Sequence, residues 1–141
     1  MKTLEEIMQM FPSTEKEKWS QHSNGKGWVY ITAKVSPSAF IEGVVFDNAR
    51  VYGDAQVFGD ARVFYNARVS GDAWKTSPLY IQGSKHSASN VKYGSIAIGC
   101  EVHTFAEWLE QYKAIGKAAG YNEEQIEEYK AIIDLFVKVG R

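Results

Sequence analysis

The chain has 141 residues, 45% of them hydrophobic and 23% charged, with 16 basic and 17 acidic side chains for a formal net charge of -1. That is too apolar for a disordered chain, and the charge balance argues against a nucleic-acid binder relying on bulk charge. The single cysteine, Cys100, excludes an intrachain disulfide framework and suits a reducing compartment, so a cytoplasmic location is expected.

Residues 1–11 lack the apolar core of a signal peptide, and no apolar run approaches the ~18 residues of a membrane span. Thr3-Leu4-Glu5-Glu6 reads as a capping box opening a short amphipathic helix (Leu4, Ile7, Met8, Phe11) that Pro12 stops. The polar stretch 13–27, ending in Asn24-Gly25, predicts a loop. Residues 1–27 together form an expected N-terminal cap.

From Val45 the chain reads VFDNAR, VYGDAQ, VFGDAR, VFYNAR, VSGDAW, a period of six in perfect register. Valine stands at 45, 51, 57, 63 and 69, and alanine at 49, 55, 61, 67 and 73. In extended backbone, residues two apart face one side, so each Ala-x-Val triplet points two apolar groups inward and one polar group outward. The Gly-Asp or Asn positions between triplets tolerate positive φ and let the chain turn. A period of six does not hold one face of a 3.6-residue helix, so the stretch predicts short strands and corners. The pattern extends upstream through Ala33-Lys34-Val35 and Ala39-Phe40-Ile41, then slips, because Ile41 to Val45 is four residues instead of six. A two-residue deletion at Glu42-Gly43 accounts for the slip.

The repeat resembles the hexapeptide-repeat proteins, whose family fold is a left-handed parallel β-helix with three hexads, 18 residues, per triangular coil. The resemblance implies a mainly β chain: a short left-handed β-helix over 28–75 with an N-terminal helix and a C-terminal αα-hairpin. It also implies a homo-oligomer, a trimer. An 18-residue coil stacks Arg50 on Arg68, Phe46 on Phe64, Tyr52 on Ser70 and Gln56 on Trp74. The aromatic columns serve either as corner packing or as contacts to other subunits. The arginine pair is either a solvated column or an anion site.

Beyond the repeat, Leu79-Tyr80-Ile81-Gln82 and Ser95-Ile96-Ala97-Ile98 read as two strands joined by a polar segment, a cap over 76–103. Thr104-Phe105-Ala106-Glu107 is a second capping box, opening a helix with an apolar face at Phe105, Trp108, Leu109, Tyr112 and Ile115. Gly120 closes it, and Asn122 with Gln125 opens a last helix, completing a hairpin over 104–141. The segment from Trp74 through Gln82-Gly83-Ser84-Lys85-His86 and Ile98-Gly99-Cys100-Glu101-Val102-His103-Thr104 to Trp108 resembles one that follows short hexapeptide arrays in phage and prophage proteins. That kinship carries no chemistry to transfer.

Gln82-Gly83-Ser84-Lys85-His86-Ser87 is the densest polar cluster, and its N–H groups, hydroxyls and cation suit a phosphate or other anion. Its bland reading is a solvated loop. Cys100 and His103, with His86, have the residue types of a zinc site but no fourth ligand, and Cys100 with His103 lacks an orienting third residue for nucleophilic catalysis. Neither reading is adopted, and no cofactor is expected. The acyltransferases among hexapeptide-repeat proteins use a histidine between subunits; His22, His86 and His103 all lie outside this repeat, so catalysis is not expected.

The sequence reading is therefore a phage-type binding protein. Gln82, Ser84, Lys85 and His86, with Arg50, Arg68 and Trp74, would take a small anionic, nucleotide-like ligand; a host defence protein is the other partner considered. An acyltransferase-like enzyme and a purely structural oligomer are the alternatives.

Overall fold

The structure, a computed structural model, describes residues 2–141. By its contacts the chain divides into two compact units, one ending at Pro78 and one spanning Leu79–Arg141.

In the first unit, helix α1 (Leu4–Met10) is opened by the capping box: the Glu6 N–H donates to Thr3 Oγ1 at 3.2 Å and the Thr3 N–H to Glu6 Oε1 at 3.3 Å. After a 3-10 turn at Lys16–Lys18, β1 (Trp19–Gln21) pairs antiparallel with β2 (Trp28–Tyr30). The expected loop over 13–27 therefore contains a strand. Polar Ser20 and Gln21 hid it from a pattern reading, and Trp19 anchors it in the core of Ile7 and Val44.

The following strands are β3 (Lys34–Val35), β4 (Phe40–Ile41), β5 (Val44–Val45), β6 (Arg50–Val51), β7 (Gln56–Val57), β8 (Arg62–Val63), β9 (Arg68–Val69) and β10 (Ala73–Trp74). They join three short sheets in turn: β2-β5-β8, β3-β6-β9 and β4-β7-β10, each with parallel pairing. The five repeat valines and Ala49, Ala55, Ala61 and Ala67 are all buried, while Arg50, Gln56 and Arg62 face solvent. Val44 stands where neighbouring rungs carry Arg or Gln, and it is apolar because Ile7 and Trp19 cover it. The four corners between Phe46 and Ala67 are tight turns, as in the Ala61 N–H to Phe58 carbonyl bond at 3.0 Å, with positive φ at the first central residue. Glycine supplies that conformation at Gly53 and Gly59, whereas Asp47 (φ 56°) and Tyr65 (φ 49°) adopt it against their side chains.

Pairing offsets record the slip. Arg50 faces Arg68, 18 residues on, but Lys34 faces Arg50, only 16 on. Both backbone N–H groups of Glu42 and Gly43 reach the Val57 carbonyl, at 2.8 and 3.1 Å, and a Cβ on Gly43 would collide with the Ala61 carbonyl. The missing residues are thus absorbed at a corner that only glycine fits.

The second unit has an antiparallel sheet in the order β11 (Tyr80–Gln82), β12 (Ser87–Lys92), β13 (Ser95–Ile98), β14 (Glu101–Thr104), then α2 (Phe105–Ala118) and α3 (Glu123–Val139). Ala88, Ile96 and Ile98 of the sheet pack with Trp108 of α2 and with Tyr129, Ile133 and Phe136 of α3. Buried Asn90 ties the sheet together: its Nδ2 donates to the carbonyls of Lys92, Ser95 and Arg141, and its Oδ1 accepts the Arg141 N–H at 2.7 Å.

These observations overturn the expected fold class. Helix accounts for roughly 29% of the chain and strand for roughly 28%, and the sheets are both parallel and antiparallel; a single left-handed β-helix does not describe the molecule. The hexads govern only their own stretch. The residues after Pro78 bury a separate apolar core between helices and an antiparallel sheet, so the most conspicuous sequence pattern was not representative of the chain. No helix among the described residues is long and apolar enough to cross a membrane.

Candidate functional site

The polar loop 82–87 is a real structural cluster, but the chain supplies its own acceptors. Gly83 allows the loop to lie against α3, since a Cβ there would strike the Tyr129 hydroxyl. The Ser84 N–H donates to Glu128 Oε2 at 2.7 Å, and the Ser84 hydroxyl donates to Glu128 Oε1. The serine hydroxyl, then its backbone N–H, hold the Glu128 carboxyl below its usual range. The Tyr129 hydroxyl accepts the N–H groups of Lys85 (3.1 Å) and His86 (2.5 Å) and donates to the His86 carbonyl (2.6 Å). Three successive N–H donors, the ones an incoming phosphate would use, are thereby satisfied within the protein.

The loop's side chains are likewise engaged. Lys85 Nζ donates to the Ala119 carbonyl at 3.3 Å and lies 4.9 Å from the Tyr121 ring centroid. That position places the ammonium at the C-terminus of α2, where a cation is favoured. Gln82 accepts from the Tyr80 hydroxyl at 2.8 Å and donates to the Gly83 carbonyl. His86 stacks on Tyr121, with 18° between ring planes, and its Nδ1 lies 2.5 Å from the Tyr121 hydroxyl. Burial, with the neighbouring Tyr129, raises the Tyr121 phenol well above its ordinary value, so it stays protonated.

Beside this cluster is a cleft with an empty volume of about 490 Å³, counting its open mouth. Its walls are Trp108, Tyr112 and Ile115 of α2, Tyr121 of the helix connection, Ile126, Tyr129 and Ile133 of α3, and Ile98 of β13. His86, Cys100 of the β13–β14 turn and Glu101 at the start of β14 also line it. Gly99 lets the turn come close, because its ideal Cβ would lie 3.2 Å from the imidazole. The Trp108 indole N–H is spent on the Ile96 carbonyl at 2.9 Å, so that residue offers the cleft apolar surface only.

The other candidates lie in the first unit. Arg50 is exposed and Arg68 half-buried, directly paired across β6 and β9. Trp74 is fully buried; it faces Val57, and its indole N–H donates to the Gly71 carbonyl at 2.8 Å. The expected stacking of Gln56 on Trp74 fails because Gln56 faces Ala73, an offset of 17, which turns Trp74 inward. It therefore offers no face to a ligand. Phe46 and Phe64 do stack, with centroids 5.5 Å apart, both half-buried.

Cys100 is exposed, and His103 packs edge-on against Trp108 with its Nε2 3.5 Å from Glu101. Among the described residues no group of three His, Cys, Asp or Glu side chains is arranged to hold a metal ion. Sequence reasoning missed Glu128, Tyr121 and the cleft itself. Helical periodicity assigns Tyr129 to the core, and nothing local links Ser84 to a glutamate 44 residues away.

No protein-family model matches this chain, no curated protein matches it, and no solved structure matches it.

Proposed function

We propose that this chain is a non-catalytic binding protein whose small ligand enters the aromatic cleft of the second unit. The observation that carries the reading is the cleft's composition: four aromatic side chains, Trp108, Tyr112, Tyr121 and Tyr129, and several aliphatic ones, with a few polar groups among them. That is the usual make-up of a small-molecule site. The saturated loop narrows the reading. With the N–H groups of Ser84, Lys85 and His86 engaged by Glu128 and Tyr129, ligand recognition falls to the ring-binding walls and not to a phosphate cradle.

The likeness to phage and prophage proteins supplies the biological setting of the proposal. In it the protein acts in the host cytoplasm as an anti-defence factor, sequestering a small nucleotide-like signal through its base, and assembles as a homotrimer. Thermal denaturation across a panel of bases, nucleosides and nucleotides, with native mass spectrometry of the purified protein, tests it. A bound ligand raises the melting temperature by mass action, and the mass spectrum reports both subunit count and retained ligand. No shift across the panel and no retained ligand overturns the binding reading.

A further inference from the structure

The three parallel sheets of the first unit differ in charge. In the β3-β6-β9 sheet the register sets Lys34, Arg50 and Arg68 opposite one another, a cation on every rung. The same positions hold Phe40, Gln56 and Ala73 in β4-β7-β10, and Trp28, Val44 and Arg62 in β2-β5-β8. Neighbouring strands stand about 4.8 Å apart, so the ladder roots its three cations along a line of about 10 Å. The residues two before and two after these cations are Thr32, Asn48, Asn66, Ser36, Tyr52 and Ser70, none of them charged. Ahead of Gln56 and Arg62 the matching corner residues are Asp54 and Asp60, whereas ahead of Arg50 and Arg68 they are Asn48 and Asn66. Asp47, three residues before Arg50, commits its Oδ2 to the Tyr65 N–H at 3.1 Å. Half-buried Arg68 and the nearby Asp72 have partners within the protein, so the exposed Lys34 and Arg50 are the groups that meet a ligand. Like charges opposite one another on a sheet repel, and an anion laid along the ladder removes that cost.

From this we infer that the outer face of the β3-β6-β9 sheet binds a short linear polyphosphate. Its successive phosphoryl groups follow the rungs: Arg50 grips one through two parallel N–H bonds, Lys34 meets the next as a point charge, and Arg68 adds its positive field. A single phosphate cannot follow the whole ladder, so affinity rises with chain length.

The full chain is titrated calorimetrically with orthophosphate, pyrophosphate and tripolyphosphate, with the backbone amides followed by NMR. Tripolyphosphate is expected to bind roughly tenfold more tightly than orthophosphate, to weaken as salt is added, and to shift the amides of residues 32–36 and 48–52. Arg50→Gln is expected to lower tripolyphosphate affinity about tenfold, the worth of one charge-assisted contact. The same variant should raise the melting temperature of the ligand-free protein by about 1–3 °C, because it relieves the like-charge contacts. Arg62→Gln, on the β2-β5-β8 sheet, should leave the affinity largely unchanged. Equal affinity for the three phosphates, undiminished binding by Arg50→Gln, or an equal loss in Arg62→Gln overturns the inference. The cleft reading stands or falls separately, on bases and nucleosides, which carry no phosphate chain.

Discussion

The two units of this chain are stabilised in opposite ways. In the first, many small identical contributions recur: a valine and an alanine per rung, a corner turn, and a few parallel hydrogen bonds. In the second, a handful of singular residues do most of the holding: Phe136 and Trp108 in the core, Asn90 across the sheet, Tyr129 and Glu128 against the loop. Repetition spreads risk but, beyond a ladder of like charges, leaves little room for a specialised site. Singular contacts concentrate risk, and they are what shape an aromatic cleft.

Substitutions can break or sharpen this contrast. The largest loss is expected for Phe136→Ala, about 3–5 kcal/mol, because a fully buried ring leaves a large cavity. Val57→Ala, equally buried but one of five repeat valines, should cost about 2 kcal/mol; denaturant unfolding of both variants compares them directly. A Val57→Ala loss as large as that of Phe136→Ala would contradict the idea of distributed stability. Asn90→Ala should cost about 2–3 kcal/mol, since a fully buried amide loses all its bonds and the buried one to the Ser95 carbonyl cannot be replaced by water. Hydrogen exchange should show the loss concentrated in residues 90–95.

A smaller effect, about 1 kcal/mol, is expected for Gly59→Ala. Nothing lies within 4 Å of the added methyl, so the whole cost is the positive φ of 53°. The smallest effect is a change in pH dependence. The folded-state pKa of Glu128 lies below its ordinary 4.5, so its bond to Ser84 adds stability above that value, and this is lost as pH falls through the lowered folded value. Glu128→Gln should flatten the acid side of a melting-temperature profile by lowering its neutral plateau slightly while leaving the most acidic values unchanged.

What the sequence reveals follows the same division. The strand positions, the inward valines and the tightened corner at Glu42-Gly43 are legible because each depends on spacing within a few residues. Trp74 is not, because the last corner uses Asp72 (φ 68°) as its left-handed residue and shortens the offset by one. Strand β12 escapes pattern reading because its buried positions include Ser89 and Asn90, polar residues whose burial is tolerable only where partners exist. The cluster around His86 is half legible. The polar loop announces itself, while Tyr121 of the helix connection and Glu128 and Tyr129 of α3 reach it from 35 to 44 residues away, where the local pattern speaks only of packing and turns. Fold class suffered most, since a loud local repeat says nothing of the quieter half beside it.

The three-sheet register carries an arithmetic consequence for changing the length of the repeat. Strands that share a sheet after the corner at Gly43 are 18 residues apart where Arg50 meets Arg68 and where Val44 meets Arg62. Duplicating one such block would return every later strand to its own sheet. Duplicating a single hexad would hand each later strand to the neighbouring sheet, although every valine would still point inward. Elongation by whole multiples is therefore neutral to topology, and elongation by thirds reassigns it.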